Sequence, residues 1–141
     1  MTDFNFDLPE RYNETIADEG VWFSVYDENN RLWGEFKCAL YDTDSRRMKK
    51  AQEALKVKYA KEIRTKSADA EVLGTELFLD AILLDWKLNG KDGKAIKFSK
   101  EAASAYFAQK PVAKFVLPAL LEYSQEVRNY QVAPKEEVSG N

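Results

Sequence analysis

The sequence predicts an α+β fold: a mostly helical single domain in which an N-terminal antiparallel β-hairpin packs on about four helices. Three observations predict it. Residues 21–40 are rich in β-branched and aromatic side chains on both sides of an Asp/Asn turn. From residue 45 onward, apolar residues recur at spacings of three and four, the helical period. No linker-like stretch interrupts the chain, and 141 residues are enough for one domain but not for two ordinary ones.

Residues 1–20 read as an acidic, irregular arm, in which six carboxylates oppose only Arg11. Pro9 argues against one continuous helix there, and Phe4, Phe6, Leu8 and Tyr12 could pin the arm to the body. The globular domain spans 21–131, starting with a hairpin over 21–40. With an even-length turn at Asp27-Glu28-Asn29-Asn30, Val21, Phe23 and Val25 share a core face with Leu32, Gly34, Phe36 and Cys38. The opposite face collects Trp22, Ser24 and Tyr26 with Arg31, Trp33, Glu35 and Lys37.

Asp42, Thr43, Asp44 and Ser45 form a helix-capping cluster. A helix follows over about 45–66, with Met48, Ala51, Leu55, Tyr59 and Ile63 as its apolar stripe. A second helix reads over 69–88, with Leu73, Leu77, Ala81, Leu84 and Leu88 on one face and Asp80 and Asp85 at its exposed edge. Asn89–Lys94 is a turn-rich loop and Ile96–Phe98 a short extended bridge. Ser99 caps a helix over 100–109. The last helix covers 111–130, with Pro118 expected to kink or split it. Residues 132–141 read as a flexible polar tail.

Composition narrows the function. Hydrophobic residues at 45% and charged residues at 32% fit a globular chain, not a disordered one. Zero histidines exclude any triad, relay or metal site built on imidazole. A single cysteine excludes disulfide frameworks and paired-Cys zinc sites. No basic, then apolar, leader opens the chain, and the longest apolar stretch, Leu77–Trp86, is far short of the roughly 20 residues a membrane span needs. A cytoplasmic location, a reduced and buried Cys38, and no membrane partner are the expectations.

Short motifs carry little. Asp85–Gly90 resembles the start of a calcium loop, but Lys87 and Ile96 stand where ligands are required. Gly90-Lys91-Asp92-Gly93 matches a GxxG clamp without its flanking pattern, and reads as a plain turn. No nucleophile, dyad or ligand set stands out, so neither catalysis nor a cofactor is expected.

Two features point to binding instead. Residues 1–30 carry a net charge of −7, while residues 46–66 carry +7. Arg46, Arg47, Lys49 and Lys50 therefore either attract an acidic partner or form a solvated face partly neutralised by the chain's own arm. Trp22, Tyr26 and Trp33 either anchor a partner or lie beneath a helix or the arm. A sequence pI of 5.2 weighs against nucleic acid as the main partner. Unpaired hairpin edges leave self-association open.

The order of elements completes the reading. An extended hairpin, a charged helix and an apolar segment ending in Asp85-Trp86 come first. A Gly-Asp-Gly-containing loop, Ile96–Ser99 with a short helix, Pro111 and an aromatic-rich helix ending near Asn129-Tyr130 follow. This order resembles the tail assembly chaperones of long-tailed bacteriophages with flexible tails, over about residues 20–130 and most closely over Leu84–Phe115. The resemblance implies a small, non-enzymatic protein of the host cytoplasm, absent from the mature virion. It implies binding to the tape measure protein, whose amphipathic helices it keeps soluble while the tail tube assembles. It also implies a longer, frameshifted product whose extension reaches tail tube protein. No residue-level site comes with it; Trp22, Tyr26, Trp33, Arg46, Arg47, Lys49 and Lys50 are the candidates read from this chain. The alternative is a small phage-encoded protein that uses its basic helix on nucleic acid or on a host regulator.

Overall fold

The computed structural model describes residues 4–131. In chain order these form α1 (Glu14–Glu19), β1 (Val21–Tyr26), β2 (Leu32–Cys38), α2 (Arg46–Lys58), α3 (Ala60–Arg64), α4 (Ala70–Ala81), β3 (Leu83–Lys87), α5 (Lys100–Phe107) and α6 (Leu117–Gln125). A π-helical turn, Val112–Val116, precedes α6, and a 3₁₀ turn, Val127–Tyr130, follows it. The fold is α+β, as expected. The tail expected over 132–141 lies outside the described residues.

The arm departs from its expectation at both ends. Asn13 accepts the Ile16 amide and starts α1, so the arm is not irregular throughout. Phe4, Phe6 and Leu8 pin nothing: each is more than 70% exposed. Of the four apolar arm residues only Tyr12 packs, against the small cluster of Ala17, Leu40 and Tyr130. Gly20 then turns the chain from α1 into β1 at φ +91° and ψ 162°, a region open essentially to glycine alone. A Cβ there would also stand 2.7 Å from the Leu84 side chain. Gly20→Ala is therefore expected to destabilise the fold by about 1–3 kcal/mol, measured by urea denaturation; an unchanged midpoint would contradict this conformation.

The hairpin forms over the expected residues, but its connection, Asp27–Arg31, has an odd number of residues. Tyr26 consequently faces Leu32, while Val25 faces Gly34. Trp33 is the extra residue, a β-bulge that returns Phe36 and Cys38 to the expected core face, where they pair with Phe23 and Val21. Leu32 and Trp33 have thus exchanged the faces that strict alternation gave them. Leu32 is 49% exposed, and the Trp33 ring packs on Phe115 at 5.3 Å.

The largest correction concerns residues 69–88. The helix ends at Ala81, and Leu83–Lys87 becomes a third strand on the far side of β2. Phe36 pairs with Trp86 and Glu35 with Lys87, antiparallel. The backbone explains the outcome: β2 lies at the centre of the sheet, and its second edge needs partners once it is buried. Trp86 and Leu88 point inward while Asp85 and Lys87 stay exposed, the period of a strand. The loop after it closes back on β3, with the Ile96 amide donating to Leu88 and the Trp86 indole donating to the Ile96 carbonyl at 2.8 Å each.

Two of the expected helices are interrupted. The 45–66 helix starts as read, with Ser45 accepting the Met48 amide, but breaks at Tyr59. Met48, Ala51 and Leu55 are buried, whereas Ile63 beyond the break is 45% exposed. Pro118 has no N–H to continue the helical ladder of the last segment. The turn before it widens to a π-helix, where the Leu117 amide reaches back to the Val112 carbonyl.

The core lies between the sheet and the helices. Phe36 is fully buried against Tyr106 and Phe107, and Phe78 packs on Phe107 from the other side. Trp86 meets both Phe98 and Tyr106 edge-on. Burial pushes the Tyr106 hydroxyl up to about 12 and raises the Cys38 thiol further. Cys38 is fully buried. It should resist a thiol reagent in the native protein and react once denatured; rapid native labelling would show that this strand opens.

Candidate interaction surfaces

The face of the sheet turned away from the core is built from Trp22, Ser24, Glu35, Lys37, Asp85 and Lys87. Register sets the pairs: Glu35 lies opposite Lys87, Lys37 opposite Asp85, and Trp22 opposite Lys37. The Lys87 ammonium sits 4.7 Å from the centre of the Trp22 ring, a cation–π contact. Trp22 remains 37% exposed and Tyr26 54%. Leu32 lies opposite Tyr26, and the Ser24–Glu35 pair separates these two from Trp22 along the outer face of the hairpin.

Trp33 does not join that face. Besides packing on Phe115, its indole N–H donates to the Asp27 carboxylate at 3.1 Å. The same carboxylate accepts from the Asn29 and Arg31 amides and from the Arg31 guanidinium. The Arg31 amide foremost, then Trp33, Asn29 and the Arg31 charge, hold Asp27 below the usual carboxylate range against a partial cost of burial. Strict alternation could not place Trp33, because the bulge depends on turn length.

The basic helix divides in the same way. Arg47 donates to the Asp18 carboxylate at 2.9 Å and to the Asp18 carbonyl at 3.0 Å, tying α2 to α1. The acidic arm thus neutralises one of the four candidate cations. Arg46, Lys49 and Lys50 are exposed, and none has an ion-pair partner among the described residues. At the far end of α2, Lys58 and the Tyr59 hydroxyl both bond Glu76 of α4. Burial would raise the Glu76 carboxyl, but Tyr59 and Lys58 outweigh it and hold the group below its usual range. No local pattern marks this cluster, because Glu76 lies 17 and 18 residues from Tyr59 and Lys58.

Between α1 and α2 lies a cleft of about 370 Å³ lined by Tyr12, Glu14, Asp18, Asp42, Asp44 and Arg47 over an apolar floor of Ala17, Ala39 and Leu40. Among the described residues, no group of three or more His, Cys, Asp or Glu side chains could hold a metal ion. None of the described helices is long and apolar enough to cross a membrane.

No curated protein matches the chain, and no solved structure does. One family model, that of the YdaY prophage protein, matches residues 42–141, from the turn before α2 to the last residue. The hairpin with Trp22 and Tyr26 precedes the matched segment; the basic helix lies inside it. The match takes in well over half of the sequence and gives it a phage origin: the chain belongs to the YdaY prophage protein family.

Proposed function

We propose that this protein is a phage tail assembly chaperone. It binds the tape measure protein in the cytoplasm of the bacterial host, keeps it soluble while the tail tube assembles, and does not enter the mature virion. It acts through protein–protein contacts, without catalysis or cofactor, and an extended form would carry the contact to tail tube protein. The observation that carries the reading is the exposure of Trp22, Tyr26 and Leu32 on the outer face of the hairpin, apolar anchors suited to the apolar face of an amphipathic helix. Membership of a prophage family supports the setting. Trp33 is left out of the binding set because its ring is held by Phe115 and Asp27.

A second reading rests on the exposed, unpaired Arg46, Lys49 and Lys50, which suit nucleic acid or an acidic host regulator. Two variants separate the readings: Trp22→Ala/Tyr26→Ala and Arg46→Glu/Lys49→Glu/Lys50→Glu. For the chaperone, the aromatic pair should weaken tape measure binding about tenfold or more, since buried aromatics dominate such contacts. The charge variant should change mainly the association rate. Binding that ignores the aromatic pair and collapses between low and moderate salt would support the second reading instead.

A further inference from the structure

The two edges of the sheet differ in how they are protected. β3 carries Asp85, Lys87 and a bulge at Leu84, the devices that discourage an edge from pairing. β1 reads Val-Trp-Phe-Ser-Val-Tyr over Val21–Tyr26, with no charge, proline or glycine. The Asp27 amide donates to the Arg31 carbonyl, so Asp27 turns its backbone toward β2. Alternation then turns the backbone groups of Val21, Phe23 and Val25 toward β2 and those of Trp22, Ser24 and Tyr26 outward. Among the described residues, nothing hydrogen-bonds to that outward edge.

We infer that β1 is a homodimer interface, in which β1 of a second copy pairs antiparallel about a two-fold axis through Ser24. The strand is self-complementary in this register. Ser24 faces Ser24 of the second copy, with reciprocal backbone bonds, as a two-fold interface requires. Trp22 faces the second copy's Tyr26 twice over on the outer face, and Phe23 faces Val25 on the inner one. Aromatic cross-strand pairs of this kind favour a sheet. The result is a continuous six-stranded sheet. The paired strands carry no charged side chain, so the association should persist at high salt, opposite to any contact made through the basic helix. The inference stands on the backbone edge; Trp22 and Tyr26 also serve the tape measure reading, whereas Ser24, the residue tested, serves this one alone.

The test is light scattering on the full chain after size exclusion, from micromolar to near-millimolar concentration, at low and high salt. The wild type should reach dimer mass at both salt concentrations. Ser24→Lys sets like charges face to face and should weaken the dimer about tenfold or more. Ser24→Pro removes the outward amide, which an edge strand tolerates, and should act likewise. Should Ser24→Pro lose its circular dichroism, Ser24→Lys decides alone, because Ser24 is exposed. A wild type that stays monomeric throughout overturns the inference, as does a dimer that both variants leave intact. Loss of the dimer in Phe4→Ser/Phe6→Ser while Ser24→Lys keeps it would also overturn it, assigning the contact to the exposed arm.

Discussion

Phe36→Ala should destabilise the protein by about 3–5 kcal/mol, the cost of deleting a buried phenyl ring and leaving a cavity. Domains of this size hold only about 5–15 kcal/mol in all, so the melting temperature should fall by roughly 10 °C or more. Phe36 earns this rank by position: it is fully buried at the centre of β2, paired with Trp86 on β3 and packed on Tyr106 and Phe107 of α5. A cavity there loosens the sheet and helix layers together. Thermal and urea denaturation measure the effect; a loss under about 1 kcal/mol would mean that the site collapses freely or that the ring is not enclosed.

Tyr130 should be nearly as costly, for a different reason. Its ring is fully buried, and its hydroxyl donates to the Cys38 and Ala39 carbonyls at 3.1 Å each. The Asn13 amide in turn donates to the Tyr130 carbonyl, and Phe23 packs edge-on to the ring. One residue thus fastens the end of α6's segment, the end of β2 and the start of α1. Tyr130→Ala should cost about 3–5 kcal/mol. Tyr130→Phe keeps the ring, removes the donor from two backbone carbonyls, and should cost about 1–3 kcal/mol. Hydrogen exchange should then quicken at Leu40 and Tyr41, whose amides bond Ala17 and Ser124 beside this clasp. Exchange that quickens only elsewhere would remove Tyr130 from this role.

The same residue sets an alkaline limit. Burial, then the nearby Cys38, raises the Tyr130 hydroxyl above its ordinary value of 10.0. Burial raises Cys38 and Tyr106 as well. Groups raised on folding give their full stabilisation below the unfolded value and lose it as pH climbs toward the folded one. Stability should therefore begin to fall above about pH 9, where the unfolded thiol ionises, and more steeply above about pH 10, and Tyr130→Phe should flatten the steeper part. An equal alkaline slope in the variant would place the sensitivity on the other groups.

What the sequence revealed follows from which forces act locally. Ser45 and Ser99 were legible as caps because a cap is chemistry within three residues. Phe23 and Phe36 were placed correctly because the side-chain period of a strand is two. Leu32 and Trp33 were not, since one residue in turn length, then one in a bulge, moved both. Leu83–Lys87 reads as helix because Leu77, Ala81, Leu84 and Leu88 also fit a helical stripe; the alternation of Asp85 and Lys87 with Trp86 and Leu88 is the competing signal. The demand of β2 for a second partner decided between them, and that demand is tertiary. Of the candidate binding residues, Trp22, Tyr26, Arg46, Lys49 and Lys50 are exposed, whereas Trp33 and Arg47 are engaged by Phe115, Asp27 and Asp18. Those engagements join separate elements, which no local pattern reports.

The chaperone reading meets its most direct test in co-expression with the longest helical reading frame of the same prophage gene cluster. The quantity to measure is how much of that helical protein stays soluble and co-purifies at about 0.5 M salt, where surface charge attraction is largely screened. A soluble complex that survives this salt, and that Trp22→Ala/Tyr26→Ala depletes, is the expected result. An insoluble partner beside a soluble, folded 141-residue chain would contradict the reading.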